Sequence, residues 1–264
     1  EYIRAFAWKI FLRMLSTDKN SSLKSWIDET ESKRNSLKKQ MKNSAINKLK
    51  GDPLGGGGSN EKNSWKLFFE ESEAKVFIQN DVFRTKQEQK LFKEPYIQKI
   101  QKNIILIYCK NNENTSYKQG MTYILTMLIY ALYPFYIKNL NNTYTSDNYD
   151  LWSSEPEKYY KEIYHFFHDE DYFEHDLYYL FENIMNKEGI IKFYDDSETN
   201  KPYLLQRCEN IIYSKLRLQD KQLYLHFLSE KLDYFVVFQR WFKCLFNREF
   251  SIQDCCILWD SILS

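Results

Sequence analysis

The hydrophobic positions of this chain recur at helical spacing over most of its length. Residues 2–15 place Ile3, Phe6, Ala7, Ile10 and Met14 on one face. A second helical pattern covers 62–78, and Thr85 with Glu88 three residues later has the form of a capping box. That box predicts a helix from about 86 that Pro95 stops or bends, and another follows over about 96–109. The most apolar run, residues 121–137, reads as a buried central helix; it is shorter than the roughly 20 residues a membrane span needs, and Pro134 interrupts it. Pro156 opens a helix near 156–168, and the next, about 172–186, ends before Gly189, a C-cap residue. Leu204, Leu205, Cys208, Ile211 and Ile212 mark a helix over 203–217, followed by segments 220–229 and 232–246. Ser251 and Asp254 form a capping box for a last helix. No alternating strand pattern rises above this periodicity. The expected fold is all-α, a multi-helix single domain over 1–264 with no significant sheet. The last helix keeps its apolar face to Ser264, so the parent protein is expected to continue.

Residues 16–60 break the pattern. Ser, Lys and Asn dominate, and the segment reads as a variable polar insertion on the surface, with one helix expected around 23–50. The "GGGGS" at 55–59 has the form of an engineered linker and carries no fold information. Its basic part, 33–50, reads as a solvated loop.

Composition narrows the function classes. At 43% hydrophobic and 17% aromatic residues the chain has ample material for a packed core. Thirty-seven basic against 36 acidic residues give a net charge of +1, no global pull toward nucleic acid or an anionic membrane. The five cysteines are odd in number and lack a CxxC, which suits buried thiols in a reducing compartment. No signal-peptide pattern opens the sequence. His165, His168 and His175 lie among carboxylates, but without HExxH they read as a solvated helix end and not a metal site. There is no phosphate-binding G-x-x-x-x-G-K-[ST] and no G-x-S-x-G elbow.

Two short segments remain. Arg84 stands just before Thr85; if Thr85 is an N-cap, Arg84 lies outside the helix, beside its partly positive N-terminus, a setting that suits phosphate. Asp81, three residues earlier, is placed to hold the guanidinium; on spacing alone, an ion pair that merely fixes the loop is the commoner outcome. Gln119 and Gly120 precede the apolar central helix, where the Gln119 amide could orient a water or make a loop hydrogen bond.

Taken in order, these segments resemble the TBC domain, the GTPase-activating domain for Rab-type small GTPases. Arg4 and Trp8 match an R-x-x-x-W motif. Ile78, Asp81, Arg84 and Thr85 match I-x-x-D-x-x-R-T, with Phe92 beyond, and Tyr117, Gln119, Gly120 and Met121 match Y-x-Q-G-M. "DEDYF" (169–173), "FQRWFKCLFNREF" (238–250) and "LWD" (258–260) resemble later family segments. The resemblance implies that Arg84 is an arginine finger and Gln119 a glutamine finger, both supplied in trans to a GTP-bound Rab GTPase. It implies that Asp81 orients Arg84, Thr85 caps the helix beneath it, and Tyr117, Gly120 and Met121 support Gln119. Arg4 and Trp8 are then structural. The protein is expected to be a catalytic activator, not a stand-alone hydrolase, with no metal or cofactor of its own, since GTP and Mg²⁺ belong to the partner. It is expected to be cytoplasmic, peripheral to trafficking membranes through that partner, to regulate vesicle trafficking, and to make no membrane insertion or nucleic-acid contact. A non-catalytic module that binds a GTPase or adaptor is the alternative. Phe83 stands where the family often has Pro, and Thr122 where it often has Asn or Ser.

Overall fold

A computed structural model describes residues 2–18, 22–50, 61–112, 115–136, 163, 165–195 and 202–264. The linker at 55–59 and most of the helix expected near 156–168 lie outside the described residues. Among the described residues the chain is helical throughout, and no helix is long and apolar enough to cross a membrane.

The central element is the apolar run itself, helix α5, Met121–Tyr136. Met121, Ile124, Leu125, Met127, Leu128, Ile129, Ala131 and Leu132 are all buried, as expected of a helix apolar on nearly every side. Around α5 pack α1 (Tyr2–Phe11), α4 (Pro95–Asn111), α6 (Phe173–Glu182), α9 (Tyr234–Cys244) and α10 (Ile252–Leu263). The remaining long helices are α2 (Leu23–Lys50) and α3 (Glu61–Arg84). Helix α6 runs on into a π-helical turn, Asn183–Lys187, and Gly189 follows at φ 77°, a left-handed value that suits glycine at a helix end. A smaller core of Leu204, Cys208, Ile212 and Phe238 joins α7 (Tyr203–Glu209), its π-helical continuation Asn210–Leu216 and α9. Helix α8 (Lys221–Ser229) packs beside that continuation. Ser251 caps α10 by accepting from the Asp254 amide at 3.2 Å, as the capping box predicts.

Two sets of charged contacts tie distant segments together. Asp260, near the end of α10, accepts from Arg4 Nε at 2.9 Å and from Trp8 Nε1 at 2.8 Å, while Arg4 Nη2 reaches its second oxygen at 2.8 Å. Trp8 stacks on Trp259 with ring centroids 5.5 Å apart. The R-x-x-x-W and LWD segments are thus one contact made by the two ends of the chain.

The second set overturns two expectations. Residues 165–176 are no solvated helix end: Phe167, His168 and Asp176 are buried. Asp176 accepts from Lys9 Nζ at 3.1 Å and from Arg34 Nε and Nη2 at 2.9 and 2.7 Å. Lys9 also donates to the Phe167 carbonyl, and Arg34 to the Phe166 carbonyl at 2.9 Å. Arg34 is therefore a buried anchor and not part of a solvated loop; through Asp176 it fastens α2 to α6. The apolar periodicity of α2 is weak because a charged residue does much of its packing.

The cluster holds two cations on one carboxylate. Burial pushes the Lys9 ammonium down from 10.5 to about 8; Asp176 opposes that shift and Arg34 adds to it. Losing the Lys9 proton leaves a neutral Arg34–Asp176 pair in the interior. The folded state releases this proton near pH 8, the unfolded chain near 10.5, so between those values the unfolded chain binds more protons and folding gains from rising pH. In urea titrations from pH 8 to 10, the stability of the wild type relative to Lys9→Met should rise. Parallel curves for the two proteins would contradict this assignment.

Candidate functional site

Helix α3 carries Ile78 and Val82 into the core, which turns Phe77, Asp81 and Arg84 toward a groove at its C-terminal end. Positions 77, 81 and 84 fall on one side of a helix by spacing. The expected capping box is absent. Thr85 ends a helix and does not begin one: its hydroxyl donates to the Asp81 carbonyl at 2.7 Å and lies 3.2 Å from the Thr122 hydroxyl. Lys86 turns left-handed at φ 51°, a short 3₁₀ segment spans Lys90–Lys93, and Pro95 occupies the first turn of α4. Arg84 therefore sits at a helix C-terminus, whose partly negative carbonyls favour a cation. The expected help for phosphate from a helix N-terminus beside Arg84 does not exist there. Thr85 instead pins the end of α3 to the start of α5.

The opposite wall of the groove is the loop ahead of α5. Ser116, Tyr117 and Gln119 line it, facing Phe77, Asp81 and Arg84, with Glu73 and Ala74 at its far end; the space is open and about 400 Å³. Arg84 and Gln119, distant in sequence, share this one groove. Arg84 is more than half exposed, with its side chain at 55%. Gln119 is also exposed, and among the described residues no hydrogen bond engages its carboxamide.

Asp81 joins the two walls. Its carboxylate is nearly buried, pairs with the Arg84 guanidinium and accepts a hydrogen bond from the Tyr117 hydroxyl. Burial pushes the Tyr117 phenol well above its ordinary value, and the hydrogen bond and charge of Asp81 push it further, so the hydroxyl stays a donor. The loop-fixing ion pair expected from spacing is thus present, and it also presents Arg84 at the groove.

Gly120 and Met121 hold Gln119 from behind. Met121 is buried, and Gly120 has φ +112°, which an L side chain rarely adopts. A Cβ there would lie 3.2 Å from the Tyr194 hydroxyl, which itself donates to the Lys243 carbonyl at 2.5 Å. Phe77, outside every motif, lines the groove, and Phe83, where the family often has Pro, is exposed beside Arg84; exposed aromatics at the end of a helix were the available signal. Arg4 and Trp8 take no part in the groove and belong to the contact with Asp260. Among the described residues no group of three or more His, Cys, Asp and Glu is arranged to hold a metal ion.

Comparison with known proteins gives three findings. Residues 58–264 match the family model described as the Rab-GTPase-TBC domain. The chain is 26% identical to TBC1 domain family member 5 of Homo sapiens over 290 residues, covering 99% of this chain and 34% of that protein. It is 23% identical to TBC1 domain family member 5 homolog A of Dictyostelium discoideum, covering 98% of this chain and 30% of that one. The chain thus spans about a third of the length of these relatives. Among solved structures, the Ypt/Rab-GAP domain of Gyp1p has the same fold, with a TM-score of 0.65 at 18% identity over 99% of this chain and 69% of that one.

Gly120→Ala should destabilise the protein by about 1–3 kcal/mol, the usual cost of forcing a side chain into such a backbone region. Urea denaturation measures it; an unchanged midpoint would show that Gly120 is not what shapes the turn behind Gln119.

Proposed function

Because the chain belongs to the Rab-GTPase-TBC domain family, we propose that it is a GTPase-activating protein for a Rab-type small GTPase in its GTP-bound state, with Arg84 and Gln119 as its two catalytic groups. The observation that carries this reading is that both side chains line one open groove with their polar ends accessible.

A small GTPase alone hydrolyses GTP slowly, because charge on the transferring phosphoryl group is poorly neutralised and the attacking water poorly held. Arg84 supplies the missing charge. Its planar, permanently protonated guanidinium spans two oxygens as charge grows toward the leaving phosphate, which a lysine ammonium matches less well. Gln119 supplies the water-orienting group: its carbonyl accepts from the water while its amide donates to an anionic oxygen. Asp81 and Tyr117 hold Arg84 near its working position before the partner arrives, lowering the ordering cost at the moment of reaction. GTP and Mg²⁺ come with the GTPase, and no covalent intermediate with this chain forms. The membrane attachment of the partner sets where the reaction takes place, which gives the protein its role in vesicle trafficking from the cytoplasmic side.

Single-turnover GTP hydrolysis across a panel of Rab GTPases tests this. At least one member should be accelerated, and Arg84→Ala should remove about 10³-fold or more of that acceleration, the scale of an arginine finger. Arg84→Lys should fail to restore it, and Gln119→Ala should also slow the step. Acceleration that survives Arg84→Ala would sink the catalytic reading. GTP-dependent binding without any acceleration would replace it with a non-catalytic recognition module.

A further inference from the structure

One further guanidinium, on the 238–250 segment, belongs to a turn packed against the backbone just beyond Gln119. Arg248 lies on the turn between α9 and α10, and its Cζ sits 5.5 Å over the ring of Tyr123. Tyr123 is in the first turn of α5, a few residues past Gln119. Burial raises the Tyr123 phenol above its ordinary value; the Arg248 and Arg84 guanidiniums oppose that rise and the Asp81 carboxylate adds to it. One tyrosine is therefore in electrostatic reach of both Arg84 and Arg248.

The turn that carries Arg248 is held in an uncommon shape. Leu245 and Phe246 are consecutive left-handed residues at φ 42° and 62°, neither of them glycine. Three contacts hold them there. Trp259 Nε1 donates to the Leu245 carbonyl at 2.9 Å, the Cys255 thiol to the Phe246 carbonyl at 3.3 Å, and Asn247 Nδ2 to the Tyr123 carbonyl at 2.7 Å. The last of these ties the turn directly to the helix that follows Gln119. The neighbouring carboxylate does not neutralise Arg248, because Glu249 is engaged bidentately by Arg240 at 2.7 and 2.8 Å. Among the described residues no carboxylate pairs with Arg248. A strained turn, a stacking platform and a charge left uncompensated at the surface together describe a cation kept available.

We propose that Arg248 is a second cationic contact for the partner GTPase, taking a carboxylate on the partner's protein surface beside the nucleotide. The inference rests on the reading of Arg84 and Gln119 as the groups that face the GTPase. The two guanidiniums divide the work. Arg84 takes the charge that develops on phosphate. Arg248 takes a charge present before and during reaction and so contributes to docking and choice of partner. The cation–π contact with Tyr123 holds the guanidinium in place while leaving N–H groups for a bidentate carboxylate.

The test is equilibrium binding of a panel of Rab GTPases loaded with a non-hydrolysable GTP analogue to wild type, Arg84→Ala, Arg248→Ala and Arg248→Glu, at low and moderate salt. Arg248→Ala should weaken binding of the recognised GTPase about tenfold, the scale of one charge-assisted contact. Arg248→Glu should weaken it more, and the salt dependence should fall in both. A charge reversal of the matching partner carboxylate should recover binding to Arg248→Glu. Unchanged affinity of both Arg248 variants, with native thermal unfolding, would overturn the proposal, as would a wild-type chain that binds no member of the panel. An Arg248 effect on binding in a protein that accelerates no GTPase would support the contact while refuting catalysis by Arg84 and Gln119. An effect that appears only in the hydrolysis rate, with binding untouched, would assign Arg248 to the nucleotide phosphates and overturn the carboxylate.

Discussion

The arrangement of this site depends on one nearly buried carboxylate. Asp81 belongs to the end of α3, accepts from Tyr117 on the loop before α5, and pairs with Arg84 one turn further along its own helix. A buried carboxylate without partners would be costly, so the two partners are bound to it as much as it is to them. Arg84 and Gln119 thus come from separate segments that cannot drift apart while this contact stands. The same pairing sets a condition on the proposed function: under it, the guanidinium would exchange part of its hold on Asp81 for phosphate oxygens. Tyr117, donating to the same carboxylate, would keep it from becoming an unpaired charge during that exchange.

A rigid frame lies beneath the groove. Helix α5 is buried along nearly its whole length, and both walls of the groove are fixed to its first turns, one through Thr85 beside Thr122, the other through Gly120 and Met121. The chain ends close over this frame where Asp260 takes Arg4 and Trp8. Lys9 and Arg34 on Asp176 bind α1 and α2 to α6 at the other side of the same core. Truncating one partner of such a buried set leaves a charge uncompensated, which costs more than the intact set contributes. These ion clusters therefore specify which segments meet, while apolar burial supplies the bulk of the stability.

Much of this was legible in the sequence, and the misses share a cause. The helices whose faces are apolar, such as α5 and α10, were readable because periodicity reports burial directly. Arg84 and Gln119 were readable because their neighbours form ordered motifs. Thr85 with Glu88 misled because a threonine hydroxyl serves equally as an N-cap acceptor or as a donor to the carbonyl four residues back, and local spacing does not choose between them. Residues 165–176 looked hydrated because they are polar; the cations that permit their burial come from positions 9 and 34, which no local pattern joins to them. Arg248 lay within a quoted segment, but its contact was hidden for the same reason, since Tyr123 is its partner only in space.

The proposed catalysis requires that Arg84 and Gln119 act together on a phosphoryl group in flight. Complex formation with GDP-loaded GTPase in the presence and absence of aluminium fluoride, which mimics the transferring phosphoryl group, tests it most directly. A stable complex should form only with aluminium fluoride, be lost in Arg84→Ala and be weakened in Gln119→Ala. A complex indifferent to aluminium fluoride, or one that Arg84→Ala leaves intact, would contradict it.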